Sequence, residues 1–306
     1  MAESFSKFPR TLGTCLTLMV LAASTCPAVE ETGFGIGPGM ILVENIQPGA
    51  PEVDVFGKTD LAFEVHNGTN KAHTFSVAVI KPRAAIASWE IGYEEIPDPS
   101  WCRLDKAELD LPAQTDGKVK LFIKVPDKPE YYNRKWMALV VCRPGKPTPG
   151  SVGLQVGARV QIETLAKADT DGVGAGPLAL APSVVRLEAK PGDSVEPVVK
   201  FRNNTAKEHT YTLLRLDEAE KDAAKHERYF GPGCVQVIKP SWLTPDGTSF
   251  ALKPGETKEL KIKVSVPKNA EPGKRYEELL FLKDEAGGVD FLRVRTEIPA
   301  AAKDKP

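Results

Sequence analysis

The hydrophobic positions of this chain recur with a period of two over several short stretches. Residues 260–266 (LKIKVSV) alternate apolar side chains with lysine and serine, and residues 119–125 (VKLFIKV) follow the same pattern. Such alternation is typical of a strand with one face in a core and the other in solvent. The turn-forming pairs Pro254-Gly255 and Pro272-Gly273 follow at intervals that suit short strands. We therefore predict an all-β fold built of β-sandwiches.

One segment departs from this pattern. Residues 216–229 (LDEAEKDAAKHERY) are rich in helix formers and in charge, and Gly231-Pro232-Gly233 follows them. The composition predicts a short helical insertion, solvated and about three turns long.

The chain carries the same unit twice. Residues 63–80 (FEVHNGTNKAHTFSVAVI) align with residues 199–216 (VKFRNNTAKEHTYTLLRL), 136 positions later. Further along the distance becomes 141 positions, where residues 99–101 (PSW) meet 240–242 and residues 121–136 meet 262–277. Units of this length exceed the roughly 20–50 residues of solenoid repeats. The repetition therefore predicts two tandem domains, with an insertion in the second.

The order of motifs in these units resembles the bacterial immunoglobulin-like domain that accompanies sugar-binding modules and glycosidases in secreted proteins. Each unit has N-x-T and then P-S-W, and the second continues with L-x-P-G-E-T and a strand ending in V-P-x-x-A-x-P-G. In the first unit, residues 112–116 (PAQTD) depart from the P-G-E pattern, and Tyr131-Tyr132 replaces Pro272-Gly273. The resemblance implies two tandem immunoglobulin-like β-sandwiches with a spacer, scaffold or adhesive role. It brings no catalytic residues with it.

The start of the chain has the features of a secretory signal peptide. Lys7 and Arg10 precede the apolar run of residues 11–24, and small residues follow up to Ala28. The run is shorter than the roughly 20 apolar residues of a membrane span. We predict cleavage after Ala28 and a periplasmic or secreted mature chain without a membrane span. The alternative is an uncleaved N-terminal membrane anchor.

These observations give the domain organisation. We predict a signal peptide over residues 1–28, immunoglobulin-like domains over 33–164 and 177–299, a linker over 165–176 and a polar tail over 300–306.

Charge and motifs narrow the function classes. The 306 residues include 40 Lys+Arg and 41 Asp+Glu, a net charge of -1, which argues against a nucleic-acid partner. Zinc motifs and a G-x-S-x-G elbow are absent, and the glycine-rich residues 33–39 and 172–176 lack phosphate-loop spacing. We expect a non-enzymatic protein without cofactor or metal.

The cysteines of the mature chain suggest a disulfide. Cys102 and Cys142 align with Leu243 and Lys283, so both are missing from the second unit, as expected of a pair. A bond between them, closing a loop of about 39 residues, would stabilise an exported protein by roughly 3–4 kcal/mol. The alternative is two unlinked thiols. Cys234 is then left over.

Aromatic residues divide by repetition. Trp101 and Trp242 recur in both units, which predicts core anchors between sheets. Trp136 aligns with Glu277, which predicts a solvent-facing position. With Tyr131 and Tyr132 it forms a candidate binding surface for a sugar ring or a protein partner. Local packing under a loop is the alternative.

Asn67 and Asn203 begin N-x-T sequences that mark glycans in a eukaryotic secretory route. Because both units repeat them, we predict instead a turn in which the asparagine bonds neighbouring backbone.

Three functions fit these features. The main hypothesis is an exported scaffold, adhesive or partner-binding module in the cell envelope. The second is a periplasmic pilus-type chaperone, which needs basic residues in the cleft between domains to hold a C-terminal carboxylate; sequence alone places none there. The third is a carbohydrate-binding accessory module that uses Trp136. The partner, an envelope protein or a glycan, stays unidentified.

Overall fold

The structure is a computed structural model. It describes residues 33–57, 59–85, 90–145, 154–168, 177–285, 287 and 289–300. The predicted signal peptide, most of the predicted linker and residues 301–306 of the predicted tail lie outside the described residues. The described strands pair within two groups, a first sandwich of residues 34–164 and a second sandwich of residues 178–297. The predicted all-β fold is confirmed.

The first sandwich has a large sheet and a facing layer of two smaller sheets. Its strands are β1 (Phe34–Gly37), β2 (Met40–Ile46), β3 (Val53–Asp54), β4 (Phe63–Asn67), β5 (His73–Ile80), β6 (Glu94–Glu95), β7 (Cys102–Leu104), β8 (Glu108–Leu111), β9 (Thr115–Val119), β10 (Leu121–Ile123), β11 (Lys135–Pro144) and β12 (Val156–Thr164). The large sheet has the order β2-β12-β11-β5-β8, with β6 parallel to β11. The facing layer contains β1-β4-β9 and β3-β10-β7. Short 3-10 helices lie at Pro82–Ala85, Pro99–Trp101 and Pro129–Tyr131.

The second sandwich repeats this order. Its strands are β13 (Leu178–Ala181), β14 (Val184–Glu188), β15 (Ser194–Val195), β16 (Val198–Asn203), β17 (His209–Arg215), β18 (Val235–Gln236), β19 (Leu243–Pro245), β20 (Ser249–Leu252), β21 (Thr257–Ser265), β22 (Arg275–Asp284) and β23 (Val289–Glu297). The large sheet has the order β14-β23-β22-β17-β20, with β18 parallel to β22. The smaller sheet has the order β13-β16-β21-β15, and β19 also pairs with β21. Strand β21 thus takes the place of β9 and β10 together, and the tandem immunoglobulin-like architecture follows from the shared strand order.

The pairing register corrects the sequence alignment over the long strands β11 and β22. Val77 pairs with Cys142, and Leu213, which corresponds to Val77, pairs with Leu282. Cys142 therefore corresponds to Leu282, 140 positions later rather than 141. The loop before β22 is one residue shorter than the alignment assumes. A shift of one residue exchanges the two faces of a strand, so it changes which side chains are predicted to be buried.

The predicted short helical insertion in the second sandwich is confirmed, but it is not a single solvated helix of about three turns. The segment contains one helical turn, α1 (Leu216–Ala219), and a separate 3-10 helix, Ala223–Tyr229. Leu216 and Tyr229 are buried, and the His226 ring lies 2.9 Å from the Glu220 carbonyl oxygen. The apolar residues at the two ends hold the segment against the sheet, and this packing outweighs the helix propensity of the charged residues between them.

The N-x-T turn is confirmed in the first sandwich. Asn67 is fully buried, and its Nδ2 donates to the carbonyl oxygens of Lys71 (2.9 Å), Leu111 (3.1 Å) and Pro112 (2.8 Å). Its Oδ1 accepts from the backbone N–H (3.2 Å) and the hydroxyl (2.7 Å) of Thr69. The side chain therefore joins the β4–β5 turn to the end of β8.

The second sandwich repeats the same contacts. Asn203 Nδ2 donates to the carbonyl oxygens of Lys207 (2.7 Å) and Leu252 (2.9 Å), and Oδ1 accepts from Thr205. In both copies the amide nitrogen that a glycan would modify is buried and hydrogen-bonded. The motif is a structural clamp.

We predict that Asn67→Ala lowers the free energy of unfolding by roughly 2–3 kcal/mol, because buried carbonyl groups lose their donor. The matched control is Asn70→Ala, three residues away and exposed, which should change it by less than about 0.5 kcal/mol. Urea unfolding followed by tryptophan fluorescence measures both. Equal effects of the two variants would contradict the clamp.

Candidate functional site

The two sandwiches contact each other through their large sheets. In β11 and β22 the side chains are buried on both faces, including the charged residues Lys135 and Glu277. The inward side chains fill the core of their own sandwich, and the outward ones meet the other sandwich. The resulting apolar cluster joins residues of both: Tyr93, Met137, Leu216, Tyr229, Phe230, Leu279, Phe281 and Phe291.

Gly92 permits this close approach, and Gly231 makes room for Arg295 within the second sandwich. Gly92 has a φ of +82°, and a Cβ there would lie 2.4 Å from the Phe291 ring of the second sandwich. A Cβ at Gly231 would lie 2.2 Å from Nη2 of Arg295. The Gly231-Pro232-Gly233 sequence therefore makes room for an arginine as well as ending the helical insertion.

Arg293 is the polar centre of the contact. It is fully buried on β23, and its Nε and Nη2 donate to the two carboxylate oxygens of Glu163 in the first sandwich, at 3.1 and 2.5 Å. Its Nη1 donates to the Tyr229 carbonyl oxygen (2.6 Å) and to Glu277. The Tyr93 hydroxyl donates to Glu163 (2.7 Å). This bidentate pair crosses from one sandwich to the other.

The electrostatics keep these groups charged. Burial opposes the charge of Arg293, but Glu163 and Glu277 outweigh it and raise the pKa of Arg293 well above its ordinary value. Burial also acts to raise the pKa of Glu163, but Arg293 and Lys135 outweigh it, and the pKa is lowered. Glu163 therefore keeps its guanidinium partner only while both sandwiches are in place.

Further ion pairs surround this centre. Lys135 Nζ lies 2.8 Å from Asp290 and 4.6 Å from the centroid of the Phe291 ring. Arg228 of the second sandwich lies 3.1 Å from the buried carboxylate of Glu90 in the first. These contacts extend the charge pairing across the interface.

A bulge in β2 aims two more side chains at the second sandwich. Val43 pairs with Ile162 and Ile46 with Thr164, so Glu44 and Asn45 stand opposite a single residue. Asn45 has a φ of 60°, a conformation that asparagine tolerates better than most residues. Such bulges redirect side chains.

The redirected side chains bind two arginines of the second sandwich. Glu44 accepts from Arg295, and Asn45 Oδ1 accepts from Arg186 at 2.6 Å. Arg295 also donates to Glu277 at 2.5 Å. Glu277 therefore bonds both Arg293 and Arg295.

Beside these contacts lies a cleft of about 340 Å³, open to solvent at the boundary between the sandwiches. Its lining residues are Glu44, Asn45, Arg186, Leu187, Arg275, Arg295 and Glu297. Three guanidinium groups here face two carboxylates. Burial lowers the pKa of Arg186, the charge of Arg295 acts in the same direction, and Glu44 and Glu163 oppose both. Guanidinium groups suit the planar geometry of carboxylates, so we take this arginine cleft as the candidate site.

The predicted binding surface of Trp136, Tyr131 and Tyr132 is wrong. Trp136 is only 1% exposed and packs on the rings of Trp101 (5.4 Å between centroids) and Tyr131 (5.6 Å), and Tyr132 is also buried. The reason is the one-residue error in register. Trp136 corresponds to Tyr276, which packs on Trp242 at 4.5 Å, and not to Glu277.

The repeated tryptophans thus share a ring partner on the adjacent long strand. Trp242 is buried in a small cluster with Tyr276, and Trp101 is partly buried against the first core.

Cys102 and Cys142 lie in facing sheets of the first core. Both are buried free thiols in the structure, and burial raises the pKa of Cys102 to about 12 and that of Cys142 to about 11. Their counterparts are the buried Leu243 and Leu282, so both sandwiches fill these positions with core side chains. The disulfide is not formed in the structure and stays a prediction.

Glu278 is a buried carboxyl group inside the second core, where the first sandwich has Ala138. Its Oε2 accepts from the backbone N–H of Trp242 at 2.8 Å, and its Oε1 contacts the Ser241 hydroxyl. Burial raises the pKa of Glu278 to about 7.

The comparisons with known proteins show similarity only to solved structures. No protein-family model matches the chain, and no curated protein matches it. The chain is similar to the fimbrial chaperone CfaA, a class 5 chaperone, at 13% identity over 86% of this chain and 99% of that one, with a TM-score of 0.31. It is also similar to a structure of a chaperone–tip adhesin complex of CFA/I fimbriae, at 11% identity over 88% and 100%, with a TM-score of 0.31.

A third similar structure is a protein of unknown function from Porphyromonas gingivalis W83, at 14% identity over 86% of this chain and 99% of that one, with a TM-score of 0.29. These identities and TM-scores are low, so the fold rests on the strand pairing described above and the function on the residues of this chain. Across the described residues, no helix is long and apolar enough to cross a membrane.

We predict that Arg293→Met destabilises the protein by about 3–5 kcal/mol, because it leaves Glu163 and Glu277 buried without a partner. It should also split unfolding into two transitions in calorimetry, as the sandwiches lose their coupling. Lys283→Met, an exposed position on the same large sheet, is the control. Adding Glu163→Gln and Glu277→Gln should restore part of the loss. A single unshifted transition in Arg293→Met would disprove the coupling.

We predict a pH-dependent gain in stability from Glu278→Gln. The carboxyl group has a pKa of about 7 when folded and about 4.5 when unfolded. It is protonated in both states below pH 4.5, so it lowers stability progressively as the pH rises from 4.5 to 7. Above pH 7 the loss is complete, on the order of 3 kcal/mol.

The variant should therefore be more stable than the wild type at pH 8 and nearly equal to it at pH 4. Urea unfolding at both values, with exposed Glu188→Gln as the control, measures this difference. A gain of the same size at both pH values would show that Glu278 does not titrate as described.

Proposed function

We propose that this chain is an exported, non-enzymatic, two-domain immunoglobulin-like protein that binds a protein partner in the cell envelope. The observation that carries the proposal is the arginine cleft, where Arg186, Arg275 and Arg295 meet residues of the other sandwich. The ligand is a carboxylate of the partner, either its C-terminus or an acidic side chain.

The walls of the cleft support this role because they are fixed before a ligand binds. Glu44 and Asn45 belong to the first sandwich and the three arginines to the second, and hydrogen bonds join the two walls. A site whose geometry is already set loses little conformational entropy on binding.

The charges in the cleft leave capacity for an anion. Arg295 is bound by Glu44 and Glu277, whereas Arg186 and Arg275 are exposed at the cleft. Arg186 binds only a neutral amide oxygen, that of Asn45, among the hydrogen bonds that the structure describes. A carboxylate between Arg186 and Arg275 would gain charge-assisted hydrogen bonds from both.

A pilus-type periplasmic chaperone is the second candidate function. Such a protein needs basic residues between its domains, and the arginine cleft supplies them. It also needs an edge strand for a partner, and β8 and β20 end their large sheets with one side unpaired. A chaperone partner would lack a strand of its own and would be unstable alone, whereas an ordinary envelope partner would be stable.

Export is supported by the N-terminal sequence, in which Lys7 and Arg10 precede an apolar run and small residues. We infer a periplasmic or secreted location and domains with the boundaries predicted above.

The test is affinity capture of partners from the cell-envelope extract by residues 29–306, comparing the wild type with Arg186→Gln/Arg275→Gln. We expect one protein to be enriched and its recovery to fall about tenfold in the variant, as two charge-assisted hydrogen bonds are lost. A peptide of the last residues of that protein should bind as the free acid, and more weakly as the C-terminal amide.

Lys71→Ala/Lys207→Ala removes two exposed cations outside the cleft and is the matched control. Equal capture by wild type and the arginine variant would contradict a role for the cleft. Purifying the captured protein alone then separates the two functions, because a chaperone's partner aggregates without the chain.

A further inference from the structure

The outer face of the small sheet in the second sandwich carries an excess of positive charge. Its outward positions on β16 and β21 include Lys200, Arg202, Lys261 and Lys263, with Glu259 as the acidic residue among them and the exposed Glu196 just before β16, level with Lys263. We call these four cationic side chains the basic face.

The geometry of the strands holds these cations in a regular array. Lys261 and Lys263 alternate with the buried Ile262 and Val264, so both side chains point away from the core. Residues two apart on a strand are about 6.8 Å apart, and neighbouring strands lie about 4.8 Å apart. Lys261 and Lys263 are exposed, and Lys200 and Arg202 are partly exposed.

Little of this charge is neutralised by the protein itself. Lys200 lies 3.8 Å from Glu259, a long ion pair at an exposed site. Arg202, Lys261 and Lys263 form no ion pair with any residue that the structure describes. Their charges are therefore available to a ligand.

The same face of the first sandwich gives an internal comparison, because it has the same strands and alternation. There Lys118 lies 2.8 Å from Asp60, and Lys120 lies 3.4 Å from Asp54. His66 lies 2.7 Å from Asp116. The first sandwich neutralises its own outward cations.

The differences fall at matched positions. Glu64 and His66 of the first sandwich correspond to Lys200 and Arg202 in the second. Asp116 corresponds to Thr257, and Phe122 to Lys263. Lys118 corresponds to Glu259, so the Glu64–Lys118 pair only exchanges its charges. The excess of positive charge in the second sandwich therefore comes from the other three positions, where Arg202, Thr257 and Lys263 replace His66, Asp116 and Phe122.

We propose that the basic face binds a linear acidic polysaccharide through its carboxylate or sulfate groups. A repeating polyanion matches cations spaced along and across strands. A bilayer is a poorer match, since membrane-surface binding strengthens with the apolar area that is buried. In the described part of the chain, Val198 is the one large hydrophobic residue exposed beside these cations. This site is separate from the arginine cleft. It binds a glycan through ionic contacts, whereas the hypothesis drawn from the sequence relied on ring stacking by Trp136.

The test uses polygalacturonate as the probe and neutral dextran as the control polymer, with the chain of residues 29–306. We expect the wild type to bind polygalacturonate and not to bind dextran. Raising the salt concentration from about 0.1 to about 1 M should abolish binding, because the Debye length falls from about 10 to about 3 Å. Lys261→Ser/Lys263→Ser should weaken binding about tenfold.

The matched control is Lys118→Ser/Lys120→Ser, which removes two lysines from the same face of the first sandwich and should change binding by less than about twofold. Arg186→Gln/Arg275→Gln should leave polygalacturonate binding unchanged, which separates this site from the cleft. Absence of polygalacturonate binding, or an equal loss in both lysine variants, overturns the proposal. Binding to phosphatidylglycerol vesicles but not to polygalacturonate would assign the face to membranes and overturn it as well.

Discussion

The arrangement of the two sandwiches depends on Arg293 and its two carboxylate partners. The guanidinium group is fully buried, Glu163 comes from the other sandwich, and Glu277 comes from its own. Removing three charges from water costs several kcal/mol per ion, so such a network adds little net stability. The network instead makes the arrangement of the sandwiches specific, because any other arrangement leaves a buried charge without a partner. Apolar contacts such as Tyr93 with Phe291 supply attraction without that specificity.

The two repeated sandwiches share features of their interiors and differ on their outer surfaces. Both sandwiches retain the strand order, the buried asparagine clamp and an aromatic residue packed on the tryptophan of P-S-W. They differ in the β2 bulge and in the charge of the outer faces. A sandwich requires alternation and packing of inward side chains, whereas outward positions are free to change. The arginine cleft and the basic face therefore lie on outward positions, which an internal repeat does not constrain.

The sequence predicted the structure correctly where one face of a strand is exposed to solvent. The alternation of residues 260–266 and the repeated asparagines gave the strand and the turn directly. It failed over β11 and β22 because both faces are buried there, and the runs KWMALVV and YEELLFL lose the period of two. Without that period the alignment slipped by one residue and placed Trp136 in solvent. The pairing of Arg293 with Glu163 could not be predicted from the sequence either, since the two residues lie 130 positions apart in the chain.

Strand β23 joins the structural network to the candidate site. Arg293 is fully buried, Arg295 is 8% exposed, and Glu297 is exposed at the cleft. Alternate positions of β23 thus place one arginine inside the interface and the next arginine at its solvent-exposed edge. Arg295 shares Glu277 with Arg293 and Glu44 with the first sandwich. Arg295 therefore links the ion pairs that fix the interdomain geometry to the wall of the cleft.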